Sequence, residues 1–393
     1  MSNSSVQLKD TTGASTLQKS AFGELKVVNA EAKILLHFPY NINTERVATV
    51  TTGSGTVTQS NFQANLNTTA ASSSTAKLIT KEVVEYLPGS GVDARFTAVF
   101  TTGVAGSEQI LGIGNDTDGF FIGYNGASFG LMTRNNTSDT WVAQSAFNLD
   151  TLDGSGPSGV TIDPTKGNVY RITFQWLGYG AITYFIEHPV SGSFIPVHRV
   201  EYANANTAPS LSNPSLPMMG KVTNTTNDTA ITIKTASLSA YSDAKETGAG
   251  SVVFGQSSTK SVTTENSVIT LQNKATYQSV ANQVRVRPTF LSLSSDGNKN
   301  VTVNLYINTT LGGVPSYTDV SANTSVCSYD VAGTTISGGR KVGSFALGKI
   351  ENETIPLKDF GIVINPGDLF TVAATSAQTN EVTASLIWSE LFR

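Results

Sequence analysis

Residues 95–101 read RFTAVFT, and together with 120–124 (FFIGY) and 169–176 (VYRITFQW) they decide the fold. Aromatic and β-branched residues crowd these short runs, and helix formers do not recur at helical spacing, so each reads as a strand. Working outward, 76–86, 109–114, 129–134 and 140–143 surround them, and 182–187, 194–202, 218–222 and 231–241 follow. Upstream, Leu25, Val27, Ala30, Ile34, Leu36 and Phe38 sit among polar residues, and Gly53-Ser54-Gly55 interrupts before a further strand run at 56–66. Turn residues separate the runs: Pro88-Gly89, Lys166-Gly167-Asn168, Ser191-Gly192, and the hairpin-type dipeptides Asp118-Gly119 and Asn125-Gly126. Many short strands at turn-marked intervals predict an antiparallel sandwich or jelly roll.

A second set of strand runs starts at 267 and continues through 284–286, 290–293, 301–307, 344–347, 362–364, 369–373 and 382–388, punctuated by Asp296-Gly297, Gly312-Gly313, Gly338-Gly339 and Pro366-Gly367-Asp368. Between the two sets the text fades into small and polar residues. The expected fold class is all-β: two antiparallel β-sandwich (jelly-roll) domains in tandem with a polar N-terminal arm. The expected limits are arm 1–20, first domain 21–245, linker 246–266 and second domain 267–393.

The 393 residues carry 39% hydrophobic but only 14% charged side chains, with a formal net charge of -4. No Lys/Arg block is present, which argues against a nucleic-acid groove, because phosphate binding needs clustered cations. With Cys327 alone, no intrachain disulfide and no C-x-x-C metal or redox site can form; a buried thiol is expected. Residues 1–12 lack the apolar core of a secretory signal, and no run approaches the ~20 apolar residues of a membrane span.

Seven stretches carry a resemblance: 20–25 (SAFGEL), 37–43 (HFPYNIN), 86–91 (YLPGSG) running into 95–100, 119–124 with 129–132 (FGLM), and 163–169 (DPTKGNV). Over 20–241 the chain resembles virion structural proteins of double-stranded DNA viruses, chiefly tailed phages. That resemblance implies a capsid decoration, spike or fibre protein on the particle surface, made in the host cytoplasm without a signal peptide. Its implied partners are itself as a homo-oligomer, with a trimer favoured, and other capsid or virion proteins. Strand order and turn spacing in 95–241 also resemble the concanavalin or laminin-G jelly roll, which brings a second expectation, a glycan-binding adhesin that attaches to host glycans.

No catalytic set stands out, so the expectation is no enzyme and no cofactor. Glu351 and Glu353 share a strand face but read as a solvated edge. The histidines, His37, His188 and His198, are scattered, and the last two read as exposed polar positions. Asn115, Asp116 and Asp118 offer hard oxygens before a strand, a loop able to take calcium or a glycan, although the same residues are ordinary turn chemistry. Trp141, Trp176, Tyr179 and Tyr184 could form an aromatic sugar platform or be core. The candidate ligand-binding residues are therefore Asn115, Asp116, Asp118, Trp141 and Tyr179, and a glycan site is expected to draw on the loops near 115–118, 135–139 and 204–206.

Overall fold

The computed structural model describes residues 30–243 and 250–392. The chain is all-β, two tandem antiparallel sandwiches that divide into compact units between 245 and 246. The expected arm 1–20 lies outside the described residues. The expected linker is corrected, because Ser251–Val262 is a strand whose twelve residues all pair with Asn380–Leu391. Its many small, polar side chains disguise a strand that is held by the ladder rather than by burial.

In the first unit, a seven-stranded sheet runs in the order Ser138–Ala143, Ser128–Asn135, Gly119–Asn125, Ser107–Gly114, Met218–Asn224, Ser74–Thr80 and Val47–Thr52. A nine-stranded sheet packs against it. Its main path is Phe194–Val200, Ile182–Glu187, Asn168–Gln175, Gly91–Phe100, Thr232–Thr235, Gln63–Asn67 and Thr56–Ser60, with Ser237–Ser242 also on Gly91–Phe100 and Glu31–His37 beyond it. The 56–66 run is thus two strands of one hairpin, turned at Asn61 and Phe62, both at positive φ.

Period-two alternation builds the facing layers. Ser74–Thr80 buries every second residue, the signature of a strand with one face on the core. Between the sheets, Phe120 meets Phe174 edge-on at 4.9 Å and Phe96 stacks on Tyr170 at 5.6 Å. Each such side chain contributes about 1.5–3 kcal/mol on leaving water. Gly119–Asn125 departs from alternation and is buried on both faces up to Tyr124. Phe120, Ile122 and Tyr124 belong to the main core, whereas Phe121 joins Ile110, Met132 and Met219 in a separate cluster on the other side of the sheet.

The Asn125-Gly126 turn forms as its dipeptide predicts, with Gly126 at φ 58°. Asp118-Gly119 is corrected. The turn is Asn115–Asp118, closed by the Asn115 N–H on the Asp118 carbonyl at 2.8 Å, and Gly119 already lies in the strand, paired with Gly114 and Arg134.

The second unit packs a four-stranded sheet, ordered Ser251–Val262, Asn380–Leu391, Arg285–Ser295 and Glu351–Pro356, against a six-stranded one. The expected strands at 284–286 and 290–293 are one strand with a bulge between Pro288 and Phe290. Trp388 fills the centre of this core and Cys327 is buried beside it, as a small apolar residue would be.

Candidate functional site

The outward face of the seven-stranded sheet carries the chemistry. Register places Ala48, Ile79, Met219, Gly112, Phe121, Met132 and Trp141 in one row across all seven strands. The middle of this row is buried although no third sheet covers it. Long polar side chains close over it instead, their apolar stems on the row and their charges at the rim. The Arg134 guanidinium stands 5.6 Å from the Phe121 ring and pairs with Asp139, at 2.7 and 2.9 Å. Lys77 pairs with Asp116 at 2.5 Å and Lys221 with Glu108 at 3.0 Å. The face is therefore electrically matched, cation to carboxylate.

Trp141 ends the row on the edge strand Ser138–Ala143 and remains half-buried. Its indole lies over Gly130, and its Nε1–H donates to Ser128 Oγ at 3.4 Å. Beyond Ser128 opens a cavity of about 320 Å³, also lined by Phe129, Ala143, Gln144, Ser145, Thr151 and Asp153.

The long connection 144–167 builds the far wall. Gln144 Nε2 donates to the carbonyls of Thr151 and Leu152, at 2.9 and 3.1 Å, which folds the loop back on itself. The Asp150 carboxyl takes the N–H groups of Leu152 and Ser158, at 2.9 and 2.8 Å. Asp153 Oδ1 accepts three donors: Ser155 Oγ at 2.6 Å, Ser155 N–H at 2.9 Å and Thr151 Oγ1 at 2.8 Å. Those donors, the Ser155 hydroxyl foremost, hold its carboxyl down at about 2, ionised throughout the physiological range. Asn148, at the loop's start, is anchored by its N–H on His198 Nδ1 at 3.2 Å. His198 is buried against Phe147, not exposed as its strand context predicts, and burial lowers its pKa.

The residues singled out from the sequence fall in separate places. Asn115 Oδ1 caps its own turn, accepting the N–H groups of Thr117 and Asp118, both at 2.8 Å. Asp118 is fully buried and holds a distant loop, with Oδ1 on Ser212 N–H at 2.7 Å and Asn136 N–H at 3.3 Å, and Oδ2 on Ser212 Oγ at 2.6 Å. With Asp116 paired to Lys77, the side-chain oxygens of Asn115, Asp116 and Asp118 each have partners within the fold. No group of three or more His, Cys, Asp or Glu able to hold a metal occurs among the described residues.

The four aromatics are not assembled either. Tyr184 is buried, donating to the Met132 carbonyl at 3.1 Å; Trp176 packs edge-on against Tyr86 at 5.0 Å; Tyr179 sits beside Tyr202, its hydroxyl on the Thr207 carbonyl. None of the five candidates lines the cavity; Trp141 is linked to it through its hydrogen bond to Ser128, which does. Loops 115–118 and 135–139 lie at the other end of the same strands, roughly 20 Å away at about 3.3 Å per residue. Ser128, Gln144, Ser145, Thr151 and Asp153 escape a reading for chemical motifs. The length of the 144–167 connection is the signal that could have found them, since long ordered loops in compact domains tend to carry function.

Glu351 and Glu353 stand exposed on an edge strand, as expected for a solvated pair. No helix among the described residues is long and apolar enough to cross a membrane.

No family model matches the chain and no curated protein matches it. Solved structures do align. The exoplasmic/lumenal domain of VIP36, bound to Ca²⁺ and Man3GlcNAc, shares 10% identity over 56% of this chain and 92% of its own, with a TM-score of 0.35. A Lotus tetragonolobus seed lectin shares 11% identity over 55% of this chain and 100% of its own, TM-score 0.33. A protein described among endo-acting O-glycanases of the human gut microbiota that initiate mucin breakdown shares 10% identity over 54% of this chain and 99% of its own, TM-score 0.38.

These findings correct the expected resemblance. The matched structures are carbohydrate-recognition and glycan-processing proteins, not capsid decorations, spikes or fibres of tailed phages. With the virion reading fall its capsid partners, its trimer and its particle-surface location. Overlap of this extent leaves function to be argued from the site itself.

Proposed function

We propose that the protein is a non-enzymatic glycan-binding protein of adhesin type, whose sugar site is the cavity beyond Ser128, the hydrogen-bond partner of Trp141. The observation that carries this reading is a half-buried indole joined through Ser128 to a cavity of about 320 Å³ whose lining mixes apolar surface with polar side chains. A pyranose has an apolar face of C–H groups and an equatorial rim of hydroxyls. An aromatic ring fixed over glycine suits the first, and Ser128, Gln144, Ser145, Thr151 and Asp153 suit the second. The volume lies at the lower end of small-ligand pockets and accommodates one or two sugar units. The site lies apart from the 115–118 loop, whose Asn115 and Asp118 oxygens are engaged within the fold.

Titration of the full chain with neutral mono- and oligosaccharides, read by calorimetry, tests the reading. Saturable binding is expected, weakened at least tenfold by Trp141→Ala and unchanged by EDTA. Absence of binding to any of the sugars, or binding indifferent to Trp141→Ala, would overturn it; loss on chelation alone would return calcium to the site.

A further inference from the structure

We infer that the cavity beside Trp141 is selective for uncharged glycans and rejects acidic ones, with Asp153 as the residue that sets the discrimination. The inference rests on the glycan-binding reading and adds the charge class of the ligand to it. Asp153 is the one charged side chain in the cavity lining, which holds no Lys, Arg or His. The cations of the same sheet face are committed elsewhere: Arg134 to Asp139, Lys77 to Asp116 and Lys221 to Glu108. A sialic acid, uronic acid or sulfate seated here would therefore meet a carboxylate with no compensating charge, the arrangement by which a site excludes a competitor.

The polar groups agree on what the ligand must supply. Gln144 spends both N–H bonds of Nε2 on the Thr151 and Leu152 carbonyls, so what it offers a ligand is its carbonyl oxygen. On Asp153, the three internal donors all fall on Oδ1, leaving Oδ2 as acceptor. Two acceptors with the hydroxyls of Ser128 and Ser145 beside them suit a ligand rich in donors: vicinal hydroxyls, or the N–H of an N-acetyl group. An acidic substituent brings only acceptors. Since Asp153 stays ionised at neutral pH, the exclusion operates under ordinary conditions.

The test is an array of neutral glycans, terminated in galactose, glucose, mannose or N-acetylglucosamine, printed beside the same backbones carrying sialic acid, glucuronic acid or sulfate, and probed with the full chain at pH 7. Neutral glycans should bind at least tenfold better than their acidic counterparts. Asp153→Asn should narrow that gap to below threefold. Because the substitution also touches the 151–155 turn, the unmodified chain is run in rising NaCl as well, where screening should narrow the gap. Equal binding of neutral and acidic glycans overturns the inference and leaves the glycan-binding reading standing. A gap indifferent to both Asp153→Asn and salt removes the assignment to Asp153, and binding to neither class overturns the reading beneath it.

Discussion

Trp141 lies over Gly130, so that a methyl group added at Gly130 would stand 3.0 Å from two carbons of the indole and collide with the Val142 carbonyl oxygen. The absence of a side chain at Gly130 is what lets the ring lie flat along the edge of the sheet, with Nε1 within reach of Ser128. Gly130→Ala should therefore displace both the indole and the edge strand. A stability loss of about 1–3 kcal/mol is expected, as for other overpacked sites. Glycan affinity should fall at least as far as in Trp141→Ala. Urea denaturation and calorimetric titration of the same variant check the two effects, and an unaltered sugar affinity would detach Trp141 from the site.

His198 couples acidity to the loop that walls the cavity. Its burial lowers the folded-state pKa, while Nδ1 accepts the Asn148 N–H and must give up that bond to be protonated. Below about pH 6.5, the ordinary value for histidine, the unfolded chain takes up the proton more readily than the folded one. The stabilising contribution is thus complete above that pH and declines as the pH drops below it. Melting temperature followed from pH 8 to pH 5 should fall more steeply in the wild-type chain than in His198→Asn, whose side-chain oxygen can take the same N–H without titrating. Parallel curves for the two proteins would remove His198 from the account.

The strands of the first unit were legible because their aromatic and β-branched runs decide burial locally; 120–124 reads as a buried strand and is one. Ser251–Val262 was not, since its polar, small residues gain their order from a partner strand that begins at Asn380, a pairing no local pattern encodes. The same limit explains the site. Asp118 and Asn115 looked like ligands by residue type, but Ser212 and Asn136 come from distant segments to consume the Asp118 oxygens, and Asn115 Oδ1 is taken by the N–H groups of its own turn. Nothing in the local sequence marks Asp153, and only the folding back of 144–167 onto Gln144 brings it to a cavity. His198 looked exposed by alternation, and Phe147 from the same connection covers it.

Asp118 gives the counterpart prediction, a structural role without a binding one. Its two oxygens accept three bonds that tie Ser212 and Asn136 to the 115–118 turn. Asp118→Ala removes the acceptor of all three donors, at about 1–3 kcal/mol for each one that water does not then reach. Amide exchange should accelerate at Asn136 and through 203–213, while sugar affinity at the cavity stays within twofold of wild type. A large loss of sugar binding with unchanged exchange would instead place the ligand at the 115–118 end of the strands.

The second unit depends on one buried carboxyl. Glu390 is fully buried; its Oε1 accepts Ser325 Oγ at 2.5 Å and Trp388 Nε1 at 3.0 Å, and its Oε2 accepts the Val326 N–H at 2.7 Å. Trp388 and Glu390 alternate on one strand, so both side chains enter the same layer, and the pair pins the 325–327 segment to the four-stranded sheet. Glu390→Leu fills the space but strands three donors, which should cost roughly 3–5 kcal/mol. Glu390→Gln keeps one acceptor and should cost less. Cys327 supplies an independent readout, because burial, and Glu390 after it, push the thiol's pKa up and leave the folded thiol inert. Reaction with a thiol reagent at pH 8 should be slow in the wild-type chain and markedly faster in Glu390→Leu, in step with a lower urea midpoint of Trp388 fluorescence in a chain whose Trp141 and Trp176 are replaced by Phe. Equal thiol reactivity and an unshifted midpoint would mean that the three donors find other partners when the carboxyl is gone.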